Sequence, residues 1–569
     1  MIRRNSMFEI DTVMGRRRQL IRDRVEDALI RARAAGALAY DKLPEYAVER
    51  PREAAHGDYA VNVAMQLARP CRKSPRDIAR IIAEHIDFSD SPIEKMEIAG
   101  PGFINFRMKE NWLNQAAAEM LAEGESFGRS SLGEGRKIQV EFVSANPTGD
   151  LHMGNARGAA IGDSLASLLD MAGFEVEREY YINDAGNQID KFARTLNSRY
   201  LTACGVDNEF PEDGYPGPDL KELMEQLYGE IGDKYLKLSE ELRKEYLAEY
   251  GLKHKLASIK SSLERFGVTY DCWFSERTLH DSGQVKAAVE ELEERGWLLH
   301  KDDAVWIDCT RMGPDMKPEV LVRGNGVPTY FAADIAYHKN KFQRGFDTVI
   351  DVWGADHHGH VARMQGSMEA LGYRREQLEV ILMQFVRLIE NGELVKMSKR
   401  TGHFVTLDEL IDDVGKDAAR FLFIMRGADS LLDFDLNLAK EKSNDNPVYY
   451  VQYAHARICS ILRTAAEQCL NGDKTPNMEL LTAPAERELL RKLADFPDEV
   501  AAAARLREPH RVAVYLTEVA AQFHNFYGQC RCLSDDPELT CARLALIRLT
   551  AGVIKSGLNA LGVSAPEKM

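Results

Sequence analysis

The residues best placed to do chemistry in this chain lie in two distant segments. The first, Val140–Asn155, reads as a buried strand, a turn holding His152, and the start of a helix. A histidine at such a turn faces whatever binds at the helix N-terminus, where backbone N–H groups and the helix dipole attract phosphate. The second, Leu394–Arg400, is a loop after an apolar strand that carries Lys396 and Lys399. Together the segments predict a phosphate-binding site; taken singly, a turn with a satisfied histidine and a solvated basic hairpin are the alternatives.

A third segment, Gly354–His360, gathers Asp356 and three histidines. Such side chains could ligate zinc or iron. Histidines spaced i, i+1 and i+3 across a glycine rarely converge on one ion without further ligands, so no metal is predicted here. The alternative is a loop at the end of a parallel strand, where ligands of open α/β sheets bind.

The two lysines and His152 together resemble the KMSKS and HIGH signatures of class I aminoacyl-tRNA synthetases. With Tyr180–Gln188 added, the chain resembles the arginyl-tRNA synthetase family of bacterial type. The resemblance implies that arginine is activated by ATP to arginyl-adenylate and then transferred to the 2′-hydroxyl of the terminal adenosine of tRNA. It also implies Mg²⁺ on the phosphates of ATP, and activation that depends on bound tRNA.

Activation expels pyrophosphate, so negative charge builds on the β- and γ-phosphates. By the resemblance, the four catalytic residues are His152, Asn155, Lys396 and Lys399. The lysines would stabilise that charge in the transition state. Asn155 stands where the family has a second histidine; it donates a hydrogen bond but carries no titrating proton. Some relatives lack the second lysine and carry another three residues before the histidine, where this chain has Gly149 together with an intact Lys399.

An arginine substrate presents a planar fork of five donors, which carboxylates meet best in bidentate geometry. The resemblance places Glu276 and Asp334 at this fork, with Tyr330 one helical turn from Asp334. The remaining substrate-binding residues implied by the resemblance are Ser144, Ala145, Asn146 and His357. The residues implied for ATP are His152, Gly154, Asn155, Gly354, Asp356, Lys396 and Lys399. Without the resemblance, any lone acid would be read as a surface charge.

Two further segments are similar to parts of the family that contact tRNA. Phe103 and Asn105 fall in the extra N-terminal domain, where an aromatic ring can stack on an unpaired base and an amide can read its edge. Tyr453 and Arg457 fall at the start of the helical anticodon-binding domain, where aromatic and cationic side chains suit stacking on RNA bases. A packed aromatic core is the alternative in both places.

The elements that must position these residues follow from hydrophobic periodicity. The pattern predicts helices over 17–35, 58–67 and 75–86, and a strand pair over 93–106. It then predicts strands over 137–143 and 175–182 around a helix from Asn155 to Met171 that ends at Gly173. Later strands are predicted over 348–352 and 380–388, with a hairpin turn at Asn391-Gly392.

We therefore expect a multidomain α/β chain. Residues 1–134 form a small α/β N-terminal domain, whose first dozen residues are an extension. Residues 135–440 form a class I catalytic domain with a Rossmann-type parallel sheet and an inserted domain at about 190–320. Residues 441–569 form an all-α bundle.

Composition narrows the class of protein. The chain has 569 residues and 45% hydrophobic content, and no apolar run approaches the ~18 residues of a membrane helix. Nine cysteines without CxxC pairs indicate reduced thiols and a cytoplasmic protein. We expect a monomer with no membrane partner. The net charge of −16, taken over the whole surface, argues against nucleic-acid binding. The arginines of residues 16–33 are either a local basic face or a solvated helix face.

Overall fold

In the computed structural model the chain is described over residues 11–51, 53, 56–109, 111–313, 316–395, 405–468, 470 and 475–569. The helices are α1 Val13–Ala34, α2 Val63–Cys71, α3 Pro75–His85, α4 Trp112–Glu123, α5 Met153–Met171, α6 Asn187–Ala203, α7 Pro218–Ile231, α8 Glu240–Arg265, α9 Arg277–Asp281, α10 Gln284–Glu294, α11 Tyr330–Gln343, α12 His358–Ala370, α13 Leu407–Val414, α14 Lys416–Ile424, α15 Leu436–Lys440, α16 Pro447–Glu467, α17 Pro484–Ala494, α18 Phe496–Leu506, α19 His510–Gln529 and α20 Pro537–Ala560. The strands are β1 Val48–Glu49, β2 Tyr59–Val61, β3 Ile93–Ala99, β4 Phe103–Met108, β5 Lys137–Glu141, β6 Glu175–Ile182, β7 Cys272–Ser275, β8 Leu298–Lys301, β9 Ala304–Ile307, β10 Glu319–Val322, β11 Thr348–Gly354, β12 Leu378–Met383, β13 Val386–Glu390, β14 Glu393–Leu394 and β15 Leu432–Asp435.

The N-terminal unit packs α1–α3 against a four-stranded antiparallel sheet of order β1-β2-β4-β3. The helix predicted over 58–67 is wrong in its first part. Tyr59–Val61 pairs with β4 instead, and the helix begins only at Val63. Tyr59 and Val61 are both buried, and Ala60 between them is half-buried, which is the alternation of a strand. Three residues are too few for this period to be recognised in the sequence.

A five-stranded parallel sheet of order β12-β11-β5-β6-β7 forms the centre of the molecule. Strands β5 and β6 and helix α5 agree with the predictions, and Gly173 follows α5 with φ +85°. Because β6 and β7 are added on one side of β5 and β11 and β12 on the other, the strand order reverses at β5. That is where doubly wound sheets bind their ligands.

Two predictions about this sheet need correction. The segment 190–320 is not one insertion, because Cys272–Ser275 within it is an edge strand of the central sheet. The strand predicted over 380–388 is two strands. β12 ends at Met383 in the central sheet, and β13 joins a separate three-stranded sheet of order β14-β13-β15. The hairpin between β13 and β14 is confirmed, with Asn391 and Gly392 at φ +53° and +78°.

The rest of the middle segment forms two small units. Helices α6–α8 surround their own core, which includes Phe192, Leu196 and Tyr200. Strands β8–β10 form an antiparallel sheet of order β10-β9-β8. From residue 447 onward the chain is a helical bundle, α16–α20, as predicted.

Three further features concern membrane helices, cysteines and the N-terminal arginines. No helix in the described ranges is both long and apolar enough to span a bilayer. None of the eight described cysteines forms a disulfide bond. Of the N-terminal arginines, Arg16 and Arg17 pair with Glu119, and Arg18 pairs with Asp498 of α18. Part of that basic segment is therefore neutralised within the protein.

Candidate active site

The carboxyl ends of the parallel strands gather most of the predicted site residues. Ser144–Asn146 follow β5, Glu276 follows β7, and Gly354–His357 end and follow β11. Parallel strands present their carboxyl ends at one edge of the sheet, so these segments meet there although they are far apart in sequence.

The turn with His152 caps the helix that it precedes. His152 is the N-cap of α5, and its Nδ1 accepts a hydrogen bond from the Gly154 N–H at 3.1 Å. Asn155 completes a capping box, because its Oδ1 accepts from the His152 N–H at 3.0 Å. An imidazole that accepts through Nδ1 carries its proton on Nε2. In this arrangement His152 is therefore neutral and donates from Nε2.

Glu276, the acid after β7 that is predicted to bind the guanidinium, is deeply buried. Glu276 is 2% exposed, and its Oε1 lies 3.5 Å from Nε2 of His280. Burial raises the pKa of Glu276, and the charge of Asp334 raises it further, while Tyr181 and His280 act in the opposite direction. A guanidinium arriving here would find an acid whose charge is only partly compensated.

The second acid, Asp334, lies on α11 one turn after Tyr330. Its carboxylate lies 3.2 Å from Nε2 of His360, whose ring is held between Phe331 and Trp353 at centroid distances of 5.4 and 5.6 Å. Tyr330 is 43% exposed. Each of the two predicted arginine ligands is thus paired with an imidazole.

A cavity of about 500 Å³ lies beside Glu276, His280 and Tyr330. Its polar lining includes Asp190, Glu276, His280, Arg323 and Tyr330. Ligand pockets typically run from about 300 to 1,000 Å³, so this cavity is large enough for an amino acid.

The histidines of Gly354–His360 point to different partners. His360 contacts Asp334, whereas His357 lies 3.7 Å from Asp356 at an exposed position. Within the described ranges, the one grouping of acids and thiols close enough to share an ion is Glu177, Glu179 and Cys272. Arg344 lies 3.1 Å from Glu177 and 2.5 Å from Glu179, so a cation already fills that grouping.

Lys396 and Lys399 lie outside the described residues, and their predicted role remains a prediction. The segment that follows them returns to the signature turn, Asp150–Met153 around His152; α5, which begins there, is the signature helix. Val405 O accepts from the Met153 N–H at 3.3 Å, and the Leu407 N–H donates to Leu151 O at 2.8 Å. The chain after the lysines is therefore fastened beside His152.

Comparison with known protein families decides the assignment. A model of the catalytic domain of class I tRNA synthetases (R) matches residues 117–435, which is more than half of the chain. A model of the arginyl tRNA synthetase N terminal domain matches residues 19–108, and the DALR anticodon binding domain matches residues 451–569. The chain belongs to the class I arginyl-tRNA synthetase family.

Individual arginyl-tRNA synthetases resemble the chain over nearly its whole length. The arginine–tRNA ligase of Desulfitobacterium hafniense is 57% identical over 545 residues, which cover 95% of this chain and 97% of that one. That of Heliobacterium modesticaldum is 54% identical over 561 residues, covering 97% and 99%. The solved arginyl-tRNA synthetase of Thermus thermophilus shares the fold, with a TM-score of 0.75 at 23% identity, covering 97% and 100%.

The residues predicted to contact tRNA in this synthetase lie away from the sheet edge. Phe103 begins β4 and is 37% exposed, whereas Asn105 in the same strand is only 8% exposed and has little surface to offer a base. On α16, the Arg457 guanidinium lies 4.5 Å from the Tyr453 ring and 4.9 Å from the Tyr527 ring. This aromatic and cationic face is half-exposed and suits stacking with bases.

Sequence reasoning missed three side chains of the synthetase site: Tyr181, His280 and His360. Tyr181 lies inside Tyr180–Gln188, the segment that resembles the family, but its residue type alone predicts no role. His280 could have been found, since it lies four residues after Glu276 and therefore on the same helical face. The segment Gly354–His360 is predicted as a ligand-binding loop at a strand end, but no local pattern indicates the contact of His360 with Asp334.

Proposed function

We propose that this arginine–tRNA ligase holds its L-arginine in the cavity between α9 and α11. Glu276 and Asp334 meet the guanidinium, Tyr330 covers it, and Ser144, Ala145, Asn146 and His357 hold the amino-acid end. The observation that carries the proposal is that Glu276 and Tyr330 line one cavity, while Asp334 lies on α11 one helical turn after Tyr330. Two adjacent carboxylates favour a bidentate cation over an apolar or anionic side chain.

The enzyme activates arginine with ATP to arginyl-adenylate and transfers it to the 3′-terminal adenosine of tRNA. ATP lies over the N-terminus of α5, where Gly154 allows close approach, and against Gly354 and Asp356 after β11. His152 and Asn155 donate hydrogen bonds to it, and Lys396 and Lys399 stabilise the leaving pyrophosphate. Mg²⁺ enters as the magnesium complex of ATP, held mainly by phosphate oxygens and water.

The remaining assignments concern the whole chain. Residues 1–134, with Phe103 and Asn105, contact tRNA, and residues 441–569, with Tyr453 and Arg457, bind the anticodon region. Residues 135–440 perform activation and transfer, to the 2′-hydroxyl, and activation depends on bound tRNA. The enzyme acts as a cytoplasmic monomer.

Pyrophosphate exchange across the standard amino acids tests the proposal. With tRNA present, we expect exchange with arginine at a kcat/KM at least about 100-fold above that for lysine, because a lysine ammonium cannot form the bidentate contacts. Citrulline, which replaces the guanidinium with a neutral urea group, should not support exchange. Efficient exchange with citrulline would refute the role of the two acids.

A further inference from the structure

The chain leaves β5 through a strained turn. Val143 and Ser144 have φ of +69° and +39°, and the Ser144 N–H donates to Phe142 O at 3.0 Å. A positive φ is costly for a β-branched residue, and a turn closed across one such residue is rare and strained. Strain of this kind, about 1–3 kcal/mol per residue, persists only where surrounding contacts hold it.

The contacts that hold the turn converge on the Ser144 hydroxyl. This hydroxyl donates to Glu141 Oε1 at 2.8 Å and accepts from the Tyr181 N–H at 3.1 Å. One residue on, the Tyr180 hydroxyl donates to Ala145 O at 2.8 Å. The turn is therefore fixed to β6 by two bonds and to the end of β5 by Glu141.

Glu141 is fixed in turn by a fully buried lysine of α11. Lys341 Nζ lies 2.5 Å from Glu141 Oε2 and 2.8 Å from Asp351 Oδ1 of β11. Lys341 and Asp351 are 0% exposed and Glu141 is 7% exposed. Helix α11, which carries Tyr330 and Asp334, is thus bonded to the strand that leads into the turn.

His338 completes the cluster as a cation. Its Nε2 lies 2.7 Å from Asp351 Oδ2, and its Nδ1 lies 2.8 Å from Asp334 O. Both partners are acceptors only, so both ring nitrogens must donate, which requires the imidazolium. The cluster then holds two cations and two anions, and its net charge is zero.

Stability alone does not explain such a cluster, since apolar residues of similar volume often replace buried ion pairs at no loss of stability. We propose that Lys341 and Glu141 are positioning residues that fix the strained turn relative to Asp334. The turn faces the amino-acid end of the substrate and Asp334 the guanidinium end, so the cluster sets the length of side chain that the enzyme accepts. This inference rests on the proposed function.

The test uses Glu141→Gln. The amide keeps only one accepting oxygen, so either Lys341 loses its acceptor or the Ser144 hydroxyl must change from donor to acceptor, and in both cases Lys341 loses the charge that pairs with it. In tRNA-dependent exchange we expect the KM for arginine to rise about 10- to 100-fold, as for a displaced positioning group. The KM for ATP should stay within about twofold. The preference for arginine over homoarginine, which is one methylene longer, should fall about tenfold.

Glu486→Gln is the matched control. Glu486 is 1% exposed in the helical bundle and its Oε1 accepts from Arg543 Nε at 2.7 Å, so the same change removes one buried charge far from the turn. Both variants should lower the Tm, but Glu486→Gln should leave the arginine KM and the homoarginine preference unchanged. If Glu141→Gln lowers only the Tm, the cluster is structural and the inference is wrong.

If Glu141→Gln does not fold, Ser144→Ala tests the positioning role instead. It breaks the hydrogen bond between Ser144 and Glu141 while the four charged residues stay paired. We expect it to raise the arginine KM as Glu141→Gln does, and the double variant to be no worse than the worse single variant. Additive losses, or an unchanged KM in Ser144→Ala, would overturn the inference. Absence of arginine-dependent exchange in the unmodified enzyme would instead refute the proposed function.

Discussion

At the scale of single residues, substrate choice is assigned to two acids of unequal environment. Glu276 is buried beneath Tyr181, whereas Asp334 is partly exposed beside His360. We expect Glu276→Gln and Asp334→Asn each to lower kcat/KM for arginine by about 100-fold or more, because losing one partner of a buried charge pair costs about 2–5 kcal/mol. Steady-state exchange kinetics measure this. Since the proposed site places neither acid against ATP, the KM for ATP is the internal control, and equal losses for both substrates would make the acids structural.

The family resemblance places Asn155 at the position of the second histidine of the HIGH signature. The Oδ1 of Asn155 accepts from the His152 N–H, so the residue caps α5 as well as offering an amide N–H. We expect Asn155→Ala to slow activation about 10- to 100-fold, as for loss of one transition-state donor. The variant should also lose about 1 kcal/mol of stability with the cap. Asn155→His should retain most activity.

Adenylate formation and Tm, measured on both Asn155 variants, separate these effects. A lower Tm with unchanged activation in Asn155→Ala would mean that position 155 only caps the helix. His152 and the lysines would then carry the chemistry without it.

The roles of Glu276, Asp334 and His152 come from the family resemblance and remain predictions. Residue types and motifs could not predict the cluster around Lys341. Glu141 lies in a strand and Lys341 in a helix 200 residues later, and nothing local to either one indicates their pairing. Only the folded sheet brings them together.

At the scale of elements, helix α8 of the segment 190–320 contacts the turn that precedes His152. Lys255 of α8 is 6% exposed; it lies 3.1 Å from Asp150, two residues before His152, and also pairs with Asp219 of α7. We expect Lys255→Met to reduce kcat for activation about tenfold, since a turn released at Asp150 no longer places His152 reliably. Single-turnover adenylate formation measures the step directly.

Lys244→Met is the matched control on the same helix. Lys244 pairs with the exposed Glu240 one turn away, and exposed pairs contribute at most about 1 kcal/mol. It should leave kcat unchanged. Equal effects of the two substitutions would mean that α8 acts only through general stability.

Helix α11 carries a pH-dependent bond to the sheet. Burial alone would lower the pKa of His338, but the negative charge of Asp351 raises it above the usual value. A raised folded pKa gives stability that is fully present below the unfolded value of about 6.5 and is lost as pH rises through the folded value. We expect the Tm to fall over that range, and His338→Gln to remove part of the slope. His358→Gln, at an exposed position, is the control; identical slopes in both variants would contradict the prediction.

Elements with long, regular periodicity were predictable, including β6 and α5. Several short strands were not, among them β2 and β7, and neither was the break between β12 and β13. Each spans only three or four residues or rests on a single interruption, so tertiary pairing rather than local pattern decides it. The consequence for function is that the middle segment contributes a strand, and Glu276 after it, to the central sheet.

At the scale of the whole molecule, one buried arginine joins the units. Arg420 donates from Nε to Leu561 O at 2.9 Å, from Nη1 to Phe266 O at 3.2 Å, and from Nη2 to Asp163 of α5 at 2.6 Å. The end of the helical bundle, the end of α8 and the signature helix therefore share one side chain. The N-terminal unit meets the bundle separately, through Arg50 and Asp495 at 2.6 Å.

The most direct test of the account is charging of bulk tRNA with labelled amino acids by the unmodified enzyme. We predict that arginine is attached to the fraction of tRNA that accepts it, that labelled citrulline is not attached, and that Glu276→Gln lowers the initial rate at subsaturating arginine about 100-fold or more. Charging with citrulline, or a rate unaffected by Glu276→Gln, would contradict the claim that paired carboxylates at this sheet edge select arginine.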